Sequence, residues 1–422
     1  MNRLRVAVVT PSFPPKGGGV AAAHYNLVHL LKRRYEVKAF AYDDDDRTVS
    51  EDVVRRKSPR LAGAVLAWAF GRYLRRYDRT ADFQRCRWIA LRAAGAWRLG
   101  EPLRRYRPDV IVMPDHHLPG YFIRKPHGSK IVWYSHNLYP RFRDNPLLNG
   151  HWADVDVASS MERKALRKAD AVISPSEYMA RELEKCYGTA GRPSRVIHYF
   201  IDPGAMNAVE AHPWRSEMGI GPDLPVVYLP SAGSAIKGKR FTGEIVRRIA
   251  RGRSGNVAFF LSGAIPADLS FELDRLRPSL RLHTPGSLPW QQNLAHVRSC
   301  DLCVSPTLAD NFSNALIEAL WFGKPVVTFD TGGNKEFVLD DRNGHVVDYL
   351  DVGALVERSL ELLDHPERRE AFGHCASETV RRLLDANRLL EQFESLFALL
   401  GIPSRGDASP INGPQDIGTS FQ

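Results

Sequence analysis

The sequence predicts an α/β protein built as two doubly wound, mostly parallel sheets facing each other across a cleft. Three observations point there. Short apolar, β-branched runs alternate with stretches of helical periodicity along most of the chain. The series pauses at a polar connection punctuated by Pro and Gly, "DPGAMNAVEAHPWRSEMGIGPDLP", and then starts again. Finally, 422 residues exceed what one core fills but suit two domains of roughly 200 residues each.

The first series opens with "RVAVVTP" (5–11), a buried strand ended by Pro. "KGGGVAAAHYNLVHLLKRR" follows as a Gly-rich turn and a helix, with Tyr25, Val28 and Leu31 at helical spacing. Strands are then expected at "YEVKAFAY" (35–42), "PDVIVMPD" (108–115), "KIVWYSH" (130–136), "ADAVISPS" (169–176) and "SRVIHYF" (194–200), with a helix near 158–169. The second series reads "VVYLPSA" (226–232), "NVAFFLSG" (256–263), "DLCVSP" (301–306), "PVVTFD" (325–330) and "GHVVD" (344–348), with helices between. The expected division is therefore 1–203, 204–385, a C-terminal helix 386–401 returning to the first domain, and a disordered tail 402–422 poor in apolar residues.

Composition excludes several classes. The chain is 44% hydrophobic and 25% charged, ordinary for a globular protein. The opening apolar run, Val6 to Val9, is too short for a signal peptide, and "AGAVLAWAFG" (62–71) is half of what a bilayer span needs. A cytoplasmic protein is expected. Five scattered cysteines imply no disulfide framework. "CDLC" (300–303) spells a redox or half-zinc motif, but it sits in a buried-strand pattern with no second ligand pair nearby. "DDDD" (43–46) resembles a metal-holding loop in composition, yet four adjacent acids usually mark a solvated loop, and no metal is expected.

The net charge of +10 is concentrated: residues 51–110 hold 15 Lys/Arg against 6 Asp/Glu. Arg interleaved with Trp68, Trp88 and Trp97 suits an anionic membrane surface, whereas the alternative is a set of helices with solvated Arg faces. No nucleic-acid recognition motif accompanies it, so no nucleic-acid partner is expected.

The chemistry concentrates in "LADNFSNALIEALWFGKPVVTFDTGG" (308–333). A helix is expected to begin near Asn311–Ser313 and to end at Gly323, a C-terminal cap that Pro325 makes final. Asp310 then precedes the helix and Glu318 lies between one and two turns inside it. Between them is a helix N-terminus, which attracts anions through free N–H groups and its dipole. A diphosphate fits there, with one acid on a sugar and the other on a ribose diol. The plain alternative is an N-capping Asp and a solvated Glu.

This stretch resembles the signature of the retaining glycosyltransferases of family 4, which have the GT-B fold. The family's acid, seven residues, acid pattern appears as Asp310-Asn311-Phe312-Ser313 and Glu318-Ala319, followed by Gly323-Lys324-Pro325-Val326-Val327, Gly332-Gly333 and Glu336. The first acid is Asp where the family has Glu, one methylene shorter. "PPKGGGVAAAH" resembles the family's first loop, which implies that Gly18 and Gly19 approach a phosphate. "SAIKGKRF" resembles its Lys-Gly element, making Lys237 the expected diphosphate contact; the family's Arg five residues earlier is Ala232 here, and Lys239 or Arg240 are candidate substitutes. "WYSHNLYPRF" places His136 where the family carries a His over the reacting sugar, although a lone His at a strand end also serves as a structural hydrogen-bonder.

The resemblance implies a metal-independent hexosyltransferase without a bound cofactor, using a UDP-sugar in preference to a GDP-sugar. Its acceptor is expected to be a hydroxyl of a glycan, a glycolipid or a small molecule; the basic segment 51–110, and not the resemblance, suggests a peripheral place on the cytoplasmic face of the membrane. His136, Lys237 and Asp310 are the expected catalytic groups. Gly18, Gly19, Lys237, Asp310, Asn311, Phe312, Ser313, Asn314 and Glu318 are the expected donor contacts. Two alternatives stand beside this reading: a nucleotide-sugar epimerase of the same fold, and a degenerate glycan- or lipid-binding protein.

Overall fold

The computed structural model describes residues 3–13, 18–44, 51–79, 83–143, 145–148, 151–189, 191–277 and 280–402. The first half carries β1 (Arg5–Thr10), β2 (Glu36–Ala41), β3 (Val53–Arg55), β4 (Val110–Pro114), β5 (Lys130–Tyr134), β6 (Ala171–Ser174) and β7 (Ser194–Val196). They form one parallel sheet in the order β3-β2-β1-β4-β5-β6-β7. The second half carries β8 (Val226–Leu229), β9 (Ala258–Ser262), β10 (Arg281–Gly286), β11 (Leu302–Ser305), β12 (Val326–Phe329) and β13 (Gly344–Val347). These pair in the order β10-β9-β8-β11-β12-β13. Both sheets are doubly wound, and each reverses direction between its first and fourth strands, β1 and β4 in one and β8 and β11 in the other.

Alternation along the strands sends side chains to two layers of helices. On β1, Val6 and Val8 enter one buried cluster while Ala7 and Val9 enter another. The first of these clusters is continuous through both halves, joining Val6 and Val8 to Phe312, Leu316, Leu389 and Phe393. A third cluster, including Val227, Phe259, Val304 and Val327, fills the other face of the second sheet.

Two strands escape the sequence pattern. β3 is a three-residue edge, and β10 is an edge strand, "RLHTPG", whose pairing shifts register between His283 and Gly286. Neither needs a continuous apolar run, because only one side of an edge strand is paired. β7 is also shorter than expected, ending at Val196, and the helix expected near 158–169 begins earlier, at Trp152, and ends at Leu166.

The helix Ala386–Leu399 lies against the first half. The Phe397 and Tyr35 rings are 5.6 Å apart, Arg34 pairs with Glu394, and Gln392 Nε2 donates to the Val196 carbonyl at 3.4 Å. Ile402, expected to open a disordered tail, is buried and its N–H donates to the Phe397 carbonyl. The tail beyond it, Pro14 to Gly17 of the first loop, and Asp45 and Asp46 lie outside the described residues.

Candidate active site

The two strands at the reversal of the second sheet end in the two loops that carry the charges. After β8 the chain makes a short turn, Ala235–Lys237, before the helix Lys239–Gly252. Gly238 permits this turn: its φ is +85°, and a Cβ there would lie 2.0 Å from the Pro306 carbonyl oxygen. That close approach holds the Lys237 turn against the end of β11. From β11 the chain runs to Asp310, and Lys237 Nζ forms an ion pair with its carboxylate. The other Asp310 oxygen accepts the Asn311 N–H at 2.9 Å. Burial alone raises the Asp310 carboxyl, but the Lys237 ammonium and hydrogen bonds from Asn311 and Ser313 outweigh it and hold the acid below its usual range.

The helix Asn314–Trp321 starts immediately afterwards, with Ser313 at its N-cap. The Ser313 hydroxyl makes no capping bond to this helix. Glu318 lies inside the helix and is buried, so the solvated-acid alternative does not hold. Its carboxylate accepts a hydrogen bond from Trp290 Nε1 at 2.8 Å. Burial pushes Glu318 up to about 7, opposed only in part by that bond. A carboxylate with one neutral donor and little water retains accepting capacity for hydroxyls. Phe312 is different: its ring stacks on His198 at 4.7 Å and meets Tyr199 and Phe337 edge-on, so only its backbone is left to face a ligand.

The glycine pair of the motif has a packing cause. Gly332 has φ +61°, and a Cβ on it would lie 2.1 Å from the Asp310 carbonyl oxygen. A Cβ on Gly333 would lie 2.4 Å from the Asn311 carbonyl oxygen, which accepts the Gly333 N–H at 3.1 Å. The pair therefore braces the acid loop from behind. Three residues later, Glu336 reaches the other half: its carboxylate accepts the N–H groups of Glu177 and Tyr178, both at 2.9 Å, at the start of the helix Glu177–Tyr187. Fixed charge at a helix N-terminus makes this a firm clasp between the two halves.

Across the cleft, Gly18 caps helix α1 (Gly19–Lys32), and neither Gly18 nor Gly19 has an atom near its Cβ position. Asn314 Nδ2 donates to the Gly19 carbonyl at 3.4 Å, so the two glycines and the acid loop face each other. Arg141, in the short turn after β5, pairs with the Asn311 side-chain oxygen from the same side. Its Nε is buried and has no hydrogen-bond partner among the described residues.

His136 stands at the end of β5 as expected but offers no free ring nitrogen. Nδ1 meets the Tyr199 hydroxyl at 2.7 Å and Nε2 meets His24 Nε2 at 2.8 Å. Burial holds both imidazoles well below the usual histidine range, His24 at about 3, so both are neutral near pH 7. The loop around His136 is organised by Asp115, which accepts the N–H groups of His136, Asn137 and Leu138 at 2.8, 2.7 and 3.1 Å. His136 is thus a buried, neutral link in the wall, hydrogen-bonded as the structural alternative describes.

Of the expected residues, the structure brings Lys237, Asp310, Asn311, Ser313, Asn314, Gly18 and Gly19 to one place, with Glu318 further along the same helix. Arg141, Trp290 and Glu336 belong to the same arrangement, and the first two were not foreseen. Both follow sequence punctuation, Arg141 in "YPRF" beyond a strand end and Trp290 in "LPW" at a helix start. The candidate substitutes for the cation missing at Ala232 stand elsewhere: Lys239 pairs with Asp268 at 2.5 Å and Arg240 is exposed.

The remaining motifs resolve plainly. Asp43 pairs with Arg92 at 2.9 Å, and Asp44 with Arg55 at 3.1 Å. Cys303 is buried within β11, Cys300 is buried just before it, and both are free thiols. Among the described residues, no helix is long and apolar enough to cross a membrane.

Comparison with known proteins bears on the family and the fold. Residues 17–205 match the model described as Glycosyltransferase Family 4, and residues 226–365 match Glycosyl transferases group 1. A trehalose synthase of Pyrococcus horikoshii is 32% identical over 107 residues, a quarter of each chain. D-inositol 3-phosphate glycosyltransferase 2 of Catenulispora acidiphila is 26% identical over 231 residues, 52% of this chain and 54% of that one. The chain thus spans between a quarter and about half the length of these relatives. Among solved structures, sucrose-phosphate synthase of Thermosynechococcus elongatus superposes with a TM-score of 0.70 at 16% identity, over 94% of this chain and 99% of that one. HepE of Anabaena, in complex with UDP and glucose, superposes with a TM-score of 0.67 at 17% identity, over the same shares. At such identities the superpositions establish the two-domain GT-B fold.

Proposed function

The chain belongs to the family 4 glycosyltransferases, and from that premise we propose that it moves a sugar from a nucleotide-diphosphate donor to an acceptor hydroxyl with retention of configuration. One observation carries the proposal: the Lys237–Asp310 pair sits at the N-terminus of the helix Asn314–Trp321, opposite Gly18 and Gly19. That arrangement offers positive charge to a diphosphate from both domains and an acid to a sugar.

In the proposed route, the acceptor oxygen attacks the anomeric carbon on the face that the diphosphate leaves. The bond from that carbon to phosphate oxygen breaks, the bond to acceptor oxygen forms, and the acceptor proton passes to the β-phosphate. Lys237 and the helix N-terminus meet the charge that grows on the departing diphosphate. Arg141, already beside Asn311 with an unpartnered Nε, supplies the second cation in place of the Arg absent at position 232. Asp310 and the backbone of Asn311 to Asn314 hold the donor sugar, and Glu318 accepts the ribose hydroxyls. His136 is neutral and doubly bonded, so its proposed part is to shape the wall rather than to carry a proton. This route calls on no metal and no bound cofactor.

The proposed division assigns 1–203 to the acceptor side, 204–385 to the donor side and the helix within 386–401 to a strap between them. A UDP-sugar is the proposed donor, supported by the UDP in the related HepE structure. A lipid-linked glycan at a cytoplasmic membrane surface is the proposed acceptor, supported by the basic, aromatic segment 51–110.

Slow donor hydrolysis tests the reaction without knowledge of the acceptor. In proton NMR, UDP-α-glucose should release α-glucose before mutarotation. Release of β-glucose first would overturn retention. An altered UDP-sugar with no free sugar would favour the epimerase, and nucleotide binding without turnover of any UDP-, GDP- or ADP-sugar would favour a binding protein.

A further inference from the structure

Helices normally bury their apolar side. Helix α2 (Arg60–Leu74), "RLAGAVLAWAFGRYL", does the reverse: only Gly63 and Leu74 are buried. It packs on α3 (Gln84–Arg98) through its small residue, since a Cβ at Gly63 would lie 3.0 Å from the Leu91 carbonyl oxygen. Leu61, Val65 and Trp68 stand outward, 82%, 61% and 66% exposed. Eight of the thirteen large apolar or aromatic side chains exposed among the described residues lie between Leu61 and Trp97. Such a concentration marks a surface that another phase or molecule covers.

Charge decides between the occupants. Positions 61, 65, 68 and 72 share one helix face, so the apolar stripe of Leu61, Val65 and Trp68 runs into Arg72, whose guanidinium lies 5.9 Å from the Trp68 ring. Arg60 begins the helix, Arg75 and Arg76 follow it, and the helix itself holds no acid. Asp78, the first acid after it, is tied to His151 at 2.9 Å. A second copy on this face would oppose arginines with arginines. An anionic bilayer satisfies both features, with headgroups on the arginines and acyl chains on the stripe.

We propose that α2 is an interfacial helix that lies in the plane of an anionic bilayer and inserts Leu61, Val65 and Trp68 below the headgroups. This rests on the glycosyltransferase reading only for its purpose, which is to bring a lipid-linked acceptor to the cleft. It also goes beyond attraction by charge, because an inserted stripe gives binding that salt does not fully remove.

The test uses the whole chain without donor or acceptor. It measures cosedimentation with phosphatidylcholine vesicles, with or without phosphatidylglycerol, at 0.05 and 0.5 M salt. The wild type should bind the anionic vesicles, and a fraction should stay bound at 0.5 M. Leu61→Ser/Val65→Ser/Trp68→Ser should lose that salt-resistant fraction, about tenfold or more in partition coefficient. Arg72→Glu/Arg75→Glu/Arg76→Glu should lose the salt-sensitive fraction. Quenching by bromine-labelled lipid should fall in Trp68→Phe, which localises the contact. Unchanged circular dichroism and nucleotide affinity in these variants would keep failure of this proposal apart from failure of the transferase reading. No binding at low salt, binding abolished by salt in the wild type, or a dimer dissolved by the triple Ser change would each overturn it.

Discussion

Replacing Glu318 by Gln keeps an oxygen for Trp290 Nε1 and nearly the same volume, but removes the charge from a buried site. An unfolded glutamate ionises near 4.5, whereas burial in the fold raises Glu318 to about 7. The sign follows from linkage. Below 4.5 both states are neutral and the acid costs nothing, whereas above about 7 the fold holds a carboxylate that the unfolded chain holds more easily. At about 1.4 kcal/mol per pH unit, that interval corresponds to roughly 3 kcal/mol lost by the wild type as pH rises through it. Glu318→Gln escapes the loss. Thermal unfolding should show it stabilised by up to about 3 kcal/mol at pH 8 and by under about 1 kcal/mol at pH 5. Its affinity for UDP should nevertheless fall on the order of tenfold or more, since the charged hydrogen bonds proposed to the ribose would be gone. Stability at pH 8 equal to or below that of the wild type would refute the claim that burial, held for a ligand, is what raises this acid.

Three other substitutions probe the site's neighbours. Lys237→Ala should lower transfer at least about 100-fold at saturating donor. It should also destabilise the protein by up to about 3 kcal/mol near neutral pH by leaving Asp310 unpaired, an effect that fades below the carboxylate range. Arg141→Ala should weaken UDP binding about tenfold, and Arg141→Lys should recover part of it, whereas a merely structural arginine would leave UDP affinity, read by calorimetry, unchanged. Gly332→Ala forces a Cβ to within 2.1 Å of the Asp310 carbonyl. It should displace the acid loop, cost about 1–3 kcal/mol in unfolding and reduce UDP affinity.

How far the sequence disclosed this arrangement depends on the kind of signal. Central strands such as β1 and β11 are buried on both faces and declare themselves as apolar runs. The edges β3 and β10 each have one unpaired side; β3 is only three residues long and β10 is largely polar, so neither stands out as a strand. The acid-helix-glycine motif was legible because it is contiguous, and Gly323 with Pro325 marked its end. Its partners were not. Lys237 and Asp310 are 73 positions apart and meet only because β8 lies beside β11. Glu318 could be read as solvated until Trp290 closed over it, and His136 as free until Tyr199 and His24 took its nitrogens. Arg141 reaches Asn311 across 170 positions and between domains, a contact that no local pattern encodes. In α2 the apolar run was visible, but only packing shows that it points outward.

The central claim is that Lys237, Asp310 and Glu318 form a nucleotide-diphosphate site, and calorimetric titration with UDP addresses it most directly. The wild type should bind one UDP per chain. Near pH 7, in buffers of different ionisation enthalpy, it should release a proton as the ribose bonds favour the Glu318 carboxylate. Lys237→Ala and Glu318→Gln should each bind at least about tenfold more weakly, the latter without that proton release, while the α2 variants bind as the wild type. The opposite result is no heat with millimolar UDP, GDP or ADP, or equal affinity in Lys237→Ala and Glu318→Gln. Either would place the nucleotide elsewhere and contradict the account.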